Sequence, residues 1–442
     1  MDEIGLLPGV LYFLLLCVLG VPLILGTRRH QATLRFQLRV FFIAFMLRFC
    51  VSILLYAAGL SSFIGDEDSS GWTLGASIQG EWAQHGISIF DLPGQLTQAF
   101  EGHHRGYGFM LATVFYLTGI AARLPAAALN AFFGALTVVL AYRIARTLFS
   151  DGVANRVAWW TCLLPSMVIW SAQTVKEPIV ILLETIALYE CVRLKESGLS
   201  IKHLLVCGCA IVLLIPFRFY GCYIVGAAVL VALLTPGLSG PRAWVSAIAL
   251  TAVLVPVLVG SGLFALHEAA VETFDIETIQ KFRVNVSQGG KGQGAGSGIR
   301  TADIRTTEGF ASGVAVGAIH LLLAPFPWEM NSTRALITLP EVVYWWFLVA
   351  FGVIPGLWYC IRKRFRDVCV LLLFIVGFGL LYSMMFGNVG LVVRQRAQLL
   401  PWLLVFAAVG LEQRKNRRNA MAVARRGPIP LPAETAPSQA VS

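Results

Sequence analysis

The sequence is short of charged residues. Of its 442 residues, 13% are charged and 57% are hydrophobic. A water-soluble protein of this composition would have too little polar surface to cover its core. The shortage therefore excludes an ordinary soluble domain and predicts a protein that crosses a membrane several times. The net charge of +10 does not indicate nucleic-acid binding, because most of it lies in basic clusters between apolar runs, where it reports topology.

Motifs for metal and dinucleotide binding are missing as well. The nine cysteines are scattered, and neither Cys207 with Cys209 nor any histidine pair has metal-ligand spacing. The stretch "SQGGKGQGAGSG" (287–298) follows no strand and opens no helix, which argues against a dinucleotide-binding loop. We expect no required cofactor and no metal site. A divalent cation is compatible with the chemistry considered below, but no pattern indicates one.

Long apolar runs are what the sequence has instead. About eleven are long enough to cross roughly 30 Å of hydrocarbon, and they lie at 8–26, 40–62, 124–142, 155–173, 176–194, 201–218, 220–236, 243–264, 341–360, 368–386 and 393–411. Two shorter runs, 106–120 and 311–324, are predicted to lie along the outer membrane face or to dip into it. The predicted fold is an all-α polytopic membrane protein with outer-face juxtamembrane helices.

Topology follows from the basic clusters, which the positive-inside rule places in the cytoplasm together with the C-terminus. The first 26 residues have no basic n-region and no small-residue cleavage site, so we expect a retained anchor. Arg48, inside the second run, is expected to reach the cytoplasmic interface by snorkelling. The regions are an N-terminal helix with its cytoplasmic loop (1–39), a transmembrane module (40–264) with an acidic outer loop (63–105), an outer glycine-rich loop with a juxtamembrane helix (265–340), the last transmembrane helices (341–411) and a basic, disordered tail (412–442).

The outer loop begins with three adjacent carboxylates, Asp66, Glu67 and Asp68, directly after the second run. A single acid in such a loop is most often merely solvated, but a triplet at a helix exit suits a general base or metal ligands. Cations also occur on this side, against the positive-inside rule, and phosphate is the anion that guanidinium and ammonium groups suit. The candidates for phosphate binding are Arg105, Lys176, Arg218, Arg394 and Arg396, with support from His103, His104, Tyr107, Arg123 and Glu177.

These cations also have simpler explanations. Arg394 and Arg396 are equally suited to contact lipid headgroups. Lys176 and Glu177 could neutralise one another, and Arg123 could mark the end of a helix.

Over roughly residues 40 to 195 the chain resembles the N-terminal module of GT-C glycosyltransferases, in the protein O-mannosyltransferase and aminoarabinose transferase branch. The matching elements are Asp66-Glu67 with Trp72, then Tyr107, then Arg123-Leu124-Pro125, then Tyr142-Arg143-Ile144-Ala145-Arg146. The resemblance implies a GT-C-like fold in a bacterial cytoplasmic membrane, with the active site on the outer face. It also implies an inverting transferase that moves a sugar from a polyprenyl-phosphate carrier to a glycan, lipid or protein. Its base would be a first-loop aspartate, either Asp66 or Asp68.

Two other functions use the same residue types. A polymerase or ligase of lipid-linked oligosaccharides would need the phosphate-binding cations but no first-loop base. A lipid or polysaccharide transporter should contain related halves or broken helices near the membrane midplane. The sequence shows no internal repeat, and its unexpected charges gather at one face. The transferase is therefore the favoured hypothesis, and the polymerase or ligase is the alternative.

Overall fold

The computed structural model describes residues 4–26, 32–60, 67–100, 105–197, 200–234, 244–252, 275–287, 303–330, 336–385 and 388–426. Within these ranges the chain is helical and forms no strand. The helices are α1 (Leu6–Leu25), α2 (Leu34–Ala57), α3 (Glu67–Gln84), α4 (Leu92–Thr97), α5 (Gly106–Thr118), α6 (Arg123–Leu148), α7 (Asp151–Leu163), α8 (Pro165–Ser171), α9 (Glu177–Ser197), α10 (Ile201–Leu234), α11 (244–252), α12 (Ile276–Ser287), α13 (Thr307–Leu323), α14 (Leu336–Lys363), α15 (Phe365–Met385) and α16 (Val389–Arg426).

Seven of these helices, in the described part of the chain, are long and apolar enough to cross a membrane: α1, α2, α6, α10, α14, α15 and α16. An all-α membrane protein is therefore confirmed, while the count of eleven spans stays a prediction. Helices α5 and α13 are apolar but shorter. Whether they cross the membrane or lie on its outer face also stays a prediction.

Helix α6 is the central element of the N-terminal half. It packs against α1, α2, α7 and α9, and its small and apolar side chains are buried along its whole length. In hydrocarbon, where every backbone group must be satisfied internally, such a helix gains stability from close packing with its neighbours. Helix α6 therefore fixes where the loops at either end of the bundle meet.

Helix α10 is a hairpin of two helices rather than one long rod. Arg218, in "IPFRFYG", has non-helical backbone angles (φ −159°, ψ 82°). A Cβ placed on Gly226 would lie 3.8 Å from Cγ2 of Ile211. These residues would be about 22 Å apart along a straight helix, so the two halves fold back on each other. The predicted boundary between the runs 201–218 and 220–236 coincides with this turn, which places Arg218 at the tip of the hairpin.

The predicted span 155–173 is interrupted. Helix α7 ends at Leu163 and α8 begins at Pro165, because proline cannot donate the hydrogen bond that would continue α7.

The prediction that Arg48 snorkels to the cytoplasm is wrong. Its side chain is fully buried and donates to the carbonyl oxygens of Thr161 (2.9 Å) and Cys162 (3.1 Å). Arg48 therefore satisfies the carbonyl groups that this helix end leaves open.

Helices α14 and α16 cross where glycine allows their backbones to touch. A Cβ on Gly356 would lie 1.9 Å from the carbonyl oxygen of Phe406, and one on Gly410 would lie 2.1 Å from that of Gly352. Such small-residue contacts are typical of helix pairs in membranes. Beyond this crossing α16 continues to Arg426, where the sequence predicted a disordered tail from 412. Its alanines, arginines and glutamine are good helix formers, and residues 427–442 lie outside the described ranges.

Candidate functional site

One carboxylate joins two buried arginines at the start of α9. Oε1 of Glu177 accepts from Nη2 of Arg218 at 3.1 Å, and Oε2 accepts from Nη2 of Arg394 at 2.8 Å. All three side chains are at least nine-tenths buried. Lys176 does not neutralise Glu177 by direct contact, since no ion pair joins these neighbours. The three residues come from α9, the tip of the α10 hairpin and the first turns of α16, so the site depends on all three helices.

Polar side chains from α15 and α16 hold the guanidinium of Arg218 in place. Nη1 of Arg218 donates to the hydroxyl of Tyr382 at 2.7 Å and to Oε1 of Gln395. The Tyr382 hydroxyl in turn donates to Oε1 of Gln398 at 2.7 Å. A network of this kind favours one geometry, because moving any of these members would leave a buried polar group without its partner.

Two further ionisable groups flank this cluster. Lys176 is half-buried beside Glu177, at the side where the cluster meets the surface. Among the described residues its ammonium has no carboxylate at ion-pair distance. Glu184, two turns further along α9, is fully buried, and neither of its carboxyl oxygens has a hydrogen-bond partner there. The cluster thus combines three cations with a single engaged carboxylate.

Helix α3, which contains Glu67 and Asp68, passes close to this cluster, and the side chains of the acidic triplet lie outside the described part of the chain. Asp66 lies outside the described residues, and α3 begins at Glu67. One turn later, a Cβ on Gly71 would lie 2.6 Å from the carbonyl oxygen of Thr174. Only glycine permits this approach of α3 to the segment that leads into Lys176 and Glu177. The fold therefore brings α3, at Gly71, to the segment that precedes the cation cluster.

Asn130 of α6 holds the segment before Lys176 in place through its side chain. Its side-chain amide donates to the backbone carbonyls of Gln173 (2.5 Å) and Val175 (2.7 Å), and also to the hydroxyl of Tyr107 (2.9 Å). The structure thus connects Tyr107 to the segment that carries Lys176, and its role in supporting the site stays a prediction. The contact to Tyr107 also ties α5 to the turn that carries Lys176.

The remaining candidates lie apart from Glu177. Arg105 is exposed, with its guanidinium 5.4 Å from the ring centre of Phe109. Arg123 lies 4.9 Å from the ring centre of Trp72 on α3. Arg396 is buried and donates to the carbonyl oxygen of Ala324 at 2.6 Å, so it closes the end of α13 and neither binds Glu177 nor reaches the lipid. His103 and His104 lie outside the described residues.

Sequence reasoning missed the residues that hold the arginines. Tyr382, Gln395, Gln398 and Asn130 are polar residues inside apolar helices, and such residues in membrane segments most often face the bundle interior and have a function. The polar run "RQRAQ" (394–398) in the last span carried this signal. Tyr382 and Asn130 stand alone in apolar sequence, and nothing local pointed to a shared partner.

The cluster around Glu177 and the basic residues near Arg414 occupy opposite ends of the bundle. Arg394 and Arg414 both lie on α16, and at about 1.5 Å per residue they are separated by about 30 Å, the thickness of a hydrocarbon core. Near the Arg414 end, Arg156 pairs with Glu412 at 2.6 Å, and Arg364 donates to the carbonyl of Leu148 at 2.8 Å. Arg156, Arg364 and Arg414 therefore lie at one end of the bundle, away from Glu177.

No protein-family model matches this chain, and a search of the curated proteins finds no match. In the described ranges no three histidine, cysteine or acidic side chains are grouped to hold a metal ion. The expectation of a metal-free reaction stays a prediction.

Proposed function

We propose that this protein is an inverting glycosyltransferase that takes a sugar from a polyprenyl-phosphate carrier and delivers it to a glycan, lipid or protein at the outer membrane face. The observation that supports this most is the pair of buried arginines sharing Glu177, with Lys176 beside them and α3 packed, at Gly71, against the segment before Lys176. Guanidinium and ammonium groups together suit a phosphate, because they supply both forked donors and a point charge.

In the proposed reaction the cations stabilise the leaving group. Polyprenyl phosphate departs with its charge concentrated on the phosphate oxygens, and preorganised donors in a site without water lower the free energy of that charge. Arg394 and Lys176 are the nearest to the surface and would meet the phosphate first. Arg218, fixed by Tyr382 and Gln395, would supply the buried positive field behind them.

In this proposal Glu177 occupies the position between the two arginines that a substrate phosphate would take. A carboxylate presents two oxygens to two guanidinium groups much as a phosphate would. An arriving phosphate would therefore compete with Glu177 for Arg394, and its departure would return Arg394 to Glu177. Each of the two buried arginines would keep an anionic partner in both states, which avoids an uncompensated buried guanidinium.

The acceptor hydroxyl needs a base. In the proposal Asp66 or Asp68 removes its proton as it attacks the anomeric carbon from the side opposite the phosphate. One in-line displacement then inverts the anomeric centre, and no covalent sugar–enzyme intermediate forms. The proton passes to the carboxylate and the electron pair of the broken bond passes to the phosphate oxygen.

The decisive experiment measures sugar transfer by purified protein in vesicles supplied with lipid-linked sugars and acceptors from its host. Asp66→Asn is expected to reduce transfer roughly 100- to 10,000-fold, the usual contribution of general-base catalysis, while binding of polyprenyl phosphate is kept. Glu81→Gln, an exposed acid on α3, is the control and should transfer normally. If Asp68→Asn is inactive and Asp66→Asn is active, the base is Asp68.

A polymerase or ligase of lipid-linked oligosaccharides remains the second candidate, since the cluster around Glu177 would serve it equally well. It requires no base in the first loop. Near-normal transfer by Asp66→Asn, Glu67→Gln and Asp68→Asn, singly and combined, would reject the transferase mechanism. Loss of activity only in Arg218 and Arg394 variants would then favour the polymerase or ligase.

A further inference from the structure

A groove opens between α14 and α16 at the end of the bundle opposite Glu177. Its cavity measures about 730 Å³. On α14 its wall is Phe347 and Phe351, which are 49% and 42% exposed. On α16 it is lined by Leu411, Arg414, Lys415, Arg417, Arg418 and Asn419. An apolar wall and a group of cations thus face the same space.

The cations belong to one face of α16. Leu411, Arg414, Lys415 and Arg418 follow the spacing of i, i+3, i+4 and i+7, which places them on the side of the helix that borders the groove. The guanidinium of Arg414 lies 4.9 Å from the ring centre of Phe351. This contact shows that a cation already lies over the aromatic wall.

These cations have no acidic partner among the residues that the structure describes. The nearest carboxylate along the chain, that of Glu412, is engaged by Arg156 on α7 at 2.6 Å. No described carboxylate lies within 4.0 Å of the charged nitrogens of Arg414, Lys415, Arg417 or Arg418. The chain after Arg426 contains a single acid, Glu434, which is too little charge to neutralise four cations.

We propose that this groove binds an anionic phospholipid. Its phosphate would contact the arginines of α16, and an acyl chain would lie against Phe347 and Phe351. The apolar wall is part of the exposed surface of a membrane-spanning helix, and the cations begin about 30 Å from Arg394 along α16, where the opposite headgroups would lie. Basic residues beside a membrane attract anionic lipids by just this charge.

The test uses the full-length protein in detergent, with lipid retention counted by native mass spectrometry. Phosphatidylglycerol should be retained and phosphatidylcholine should not. Combining Arg414→Gln, Arg417→Gln and Arg418→Gln should weaken retention of phosphatidylglycerol roughly 100-fold, since each cation contributes about a factor of five. The control combines Arg35→Gln, Arg39→Gln and Arg362→Gln, three exposed cations outside the groove, and should retain the lipid.

A second variant tests the apolar wall with every charge in place. Phe351→Ala should weaken retention of phosphatidylglycerol, and soluble glycerol phosphate should not compete with the lipid in the unmodified protein. Equal losses in the two triple variants would show a general basic surface and overturn the proposal. Effective competition by glycerol phosphate, or equal retention of phosphatidylcholine, would overturn it as well.

Discussion

Buried arginines hold this protein together in two different ways. Arg48, Arg283 and Arg396 donate to backbone carbonyls near the ends of other helices, at 2.9 Å to Thr161, 2.7 Å to Met384 and 2.6 Å to Ala324. Arg218 and Arg394 instead share the carboxylate of Glu177. The first group meets the partial negative charge of a helix end, whereas the second meets a full charge on a side chain.

The two groups differ in whether another anion can replace the partner of the arginine. A backbone carbonyl is fixed by its helix, so an arginine that binds it cannot be released without disturbing that helix. A carboxylate on a side chain can move, and another anion can take its place. Of these five arginines, Arg218 and Arg394 are therefore the two whose partner another anion can replace, and the helix-end arginines are expected to affect stability alone.

Glu177→Gln should give the largest effect. Removing one partner of a buried ion pair destabilises a protein by about 3–5 kcal/mol, and here two arginines lose their anion together. Thermal unfolding should show this loss, and polyprenyl phosphate should restore more stability to the variant than to the unmodified protein. Glu190→Gln, which removes a carboxylate paired with His203 at the other end of α9, should gain no such rescue. Equal rescue of both variants would mean that Glu177 does not occupy the phosphate position.

Arg48→Met should give the next largest effect, about 3 kcal/mol of stability, because buried carbonyl groups of α7 lose their donor. Donor affinity of the folded molecules should stay unchanged. Arg39→Met, an exposed position on the same helix, provides the control and should unfold normally. Altered donor affinity in Arg48→Met at unchanged stability would place Arg48 with the exchangeable group.

Arg394→Ala and Arg396→Ala compare, on one helix, an arginine that binds Glu177 with an arginine that binds a helix end. These two variants should show the smallest effects. Loss of a charged hydrogen bond of about 1.5–3 kcal/mol should weaken polyprenyl-phosphate binding by Arg394→Ala roughly 10- to 100-fold. Arg396→Ala should lower the unfolding temperature and bind the donor normally. Lysine at 394 should recover only part of the affinity, since it lacks the forked donors. If the two alanine variants behaved alike in the binding measurement, the division between the groups would fail.

The length and composition of the apolar runs were enough to predict an all-helical membrane protein and the break at Arg218. Local sequence is enough to predict that a segment is helical, because the backbone in hydrocarbon has few alternatives. It does not predict which side chains of distant helices pair with one another. Glu177 lies 41 residues from Arg218 and 217 from Arg394, and no local pattern reports such distances. Arg48 was misplaced for the same reason, since its partners belong to a helix end more than a hundred residues away.

The candidate site was predicted in part. Lys176, Arg218 and Arg394 stood out because cations on that side violate the positive-inside rule, and the structure brings them together. Arg396 met the same criterion, yet its partners are the carbonyls near the end of α13. A charged residue inside a membrane segment indicates that it has a polar partner. Sequence alone does not show whether that partner is the end of a helix or a side-chain carboxylate.

The hairpin tip at Arg218 has a consequence for biosynthesis. Glu177 leaves the ribosome before either arginine, and Arg218 follows it 41 residues later, on the adjoining hairpin. The first ion pair can therefore form as soon as that hairpin inserts, which spares both charges a separate stay in lipid. Arg394 arrives 217 residues after Glu177, so the second ion pair forms only when the last helix closes the bundle. The site is thus completed only when α16 packs against the bundle, and a chain that ends before α16 would carry its carboxylate with half of its partners.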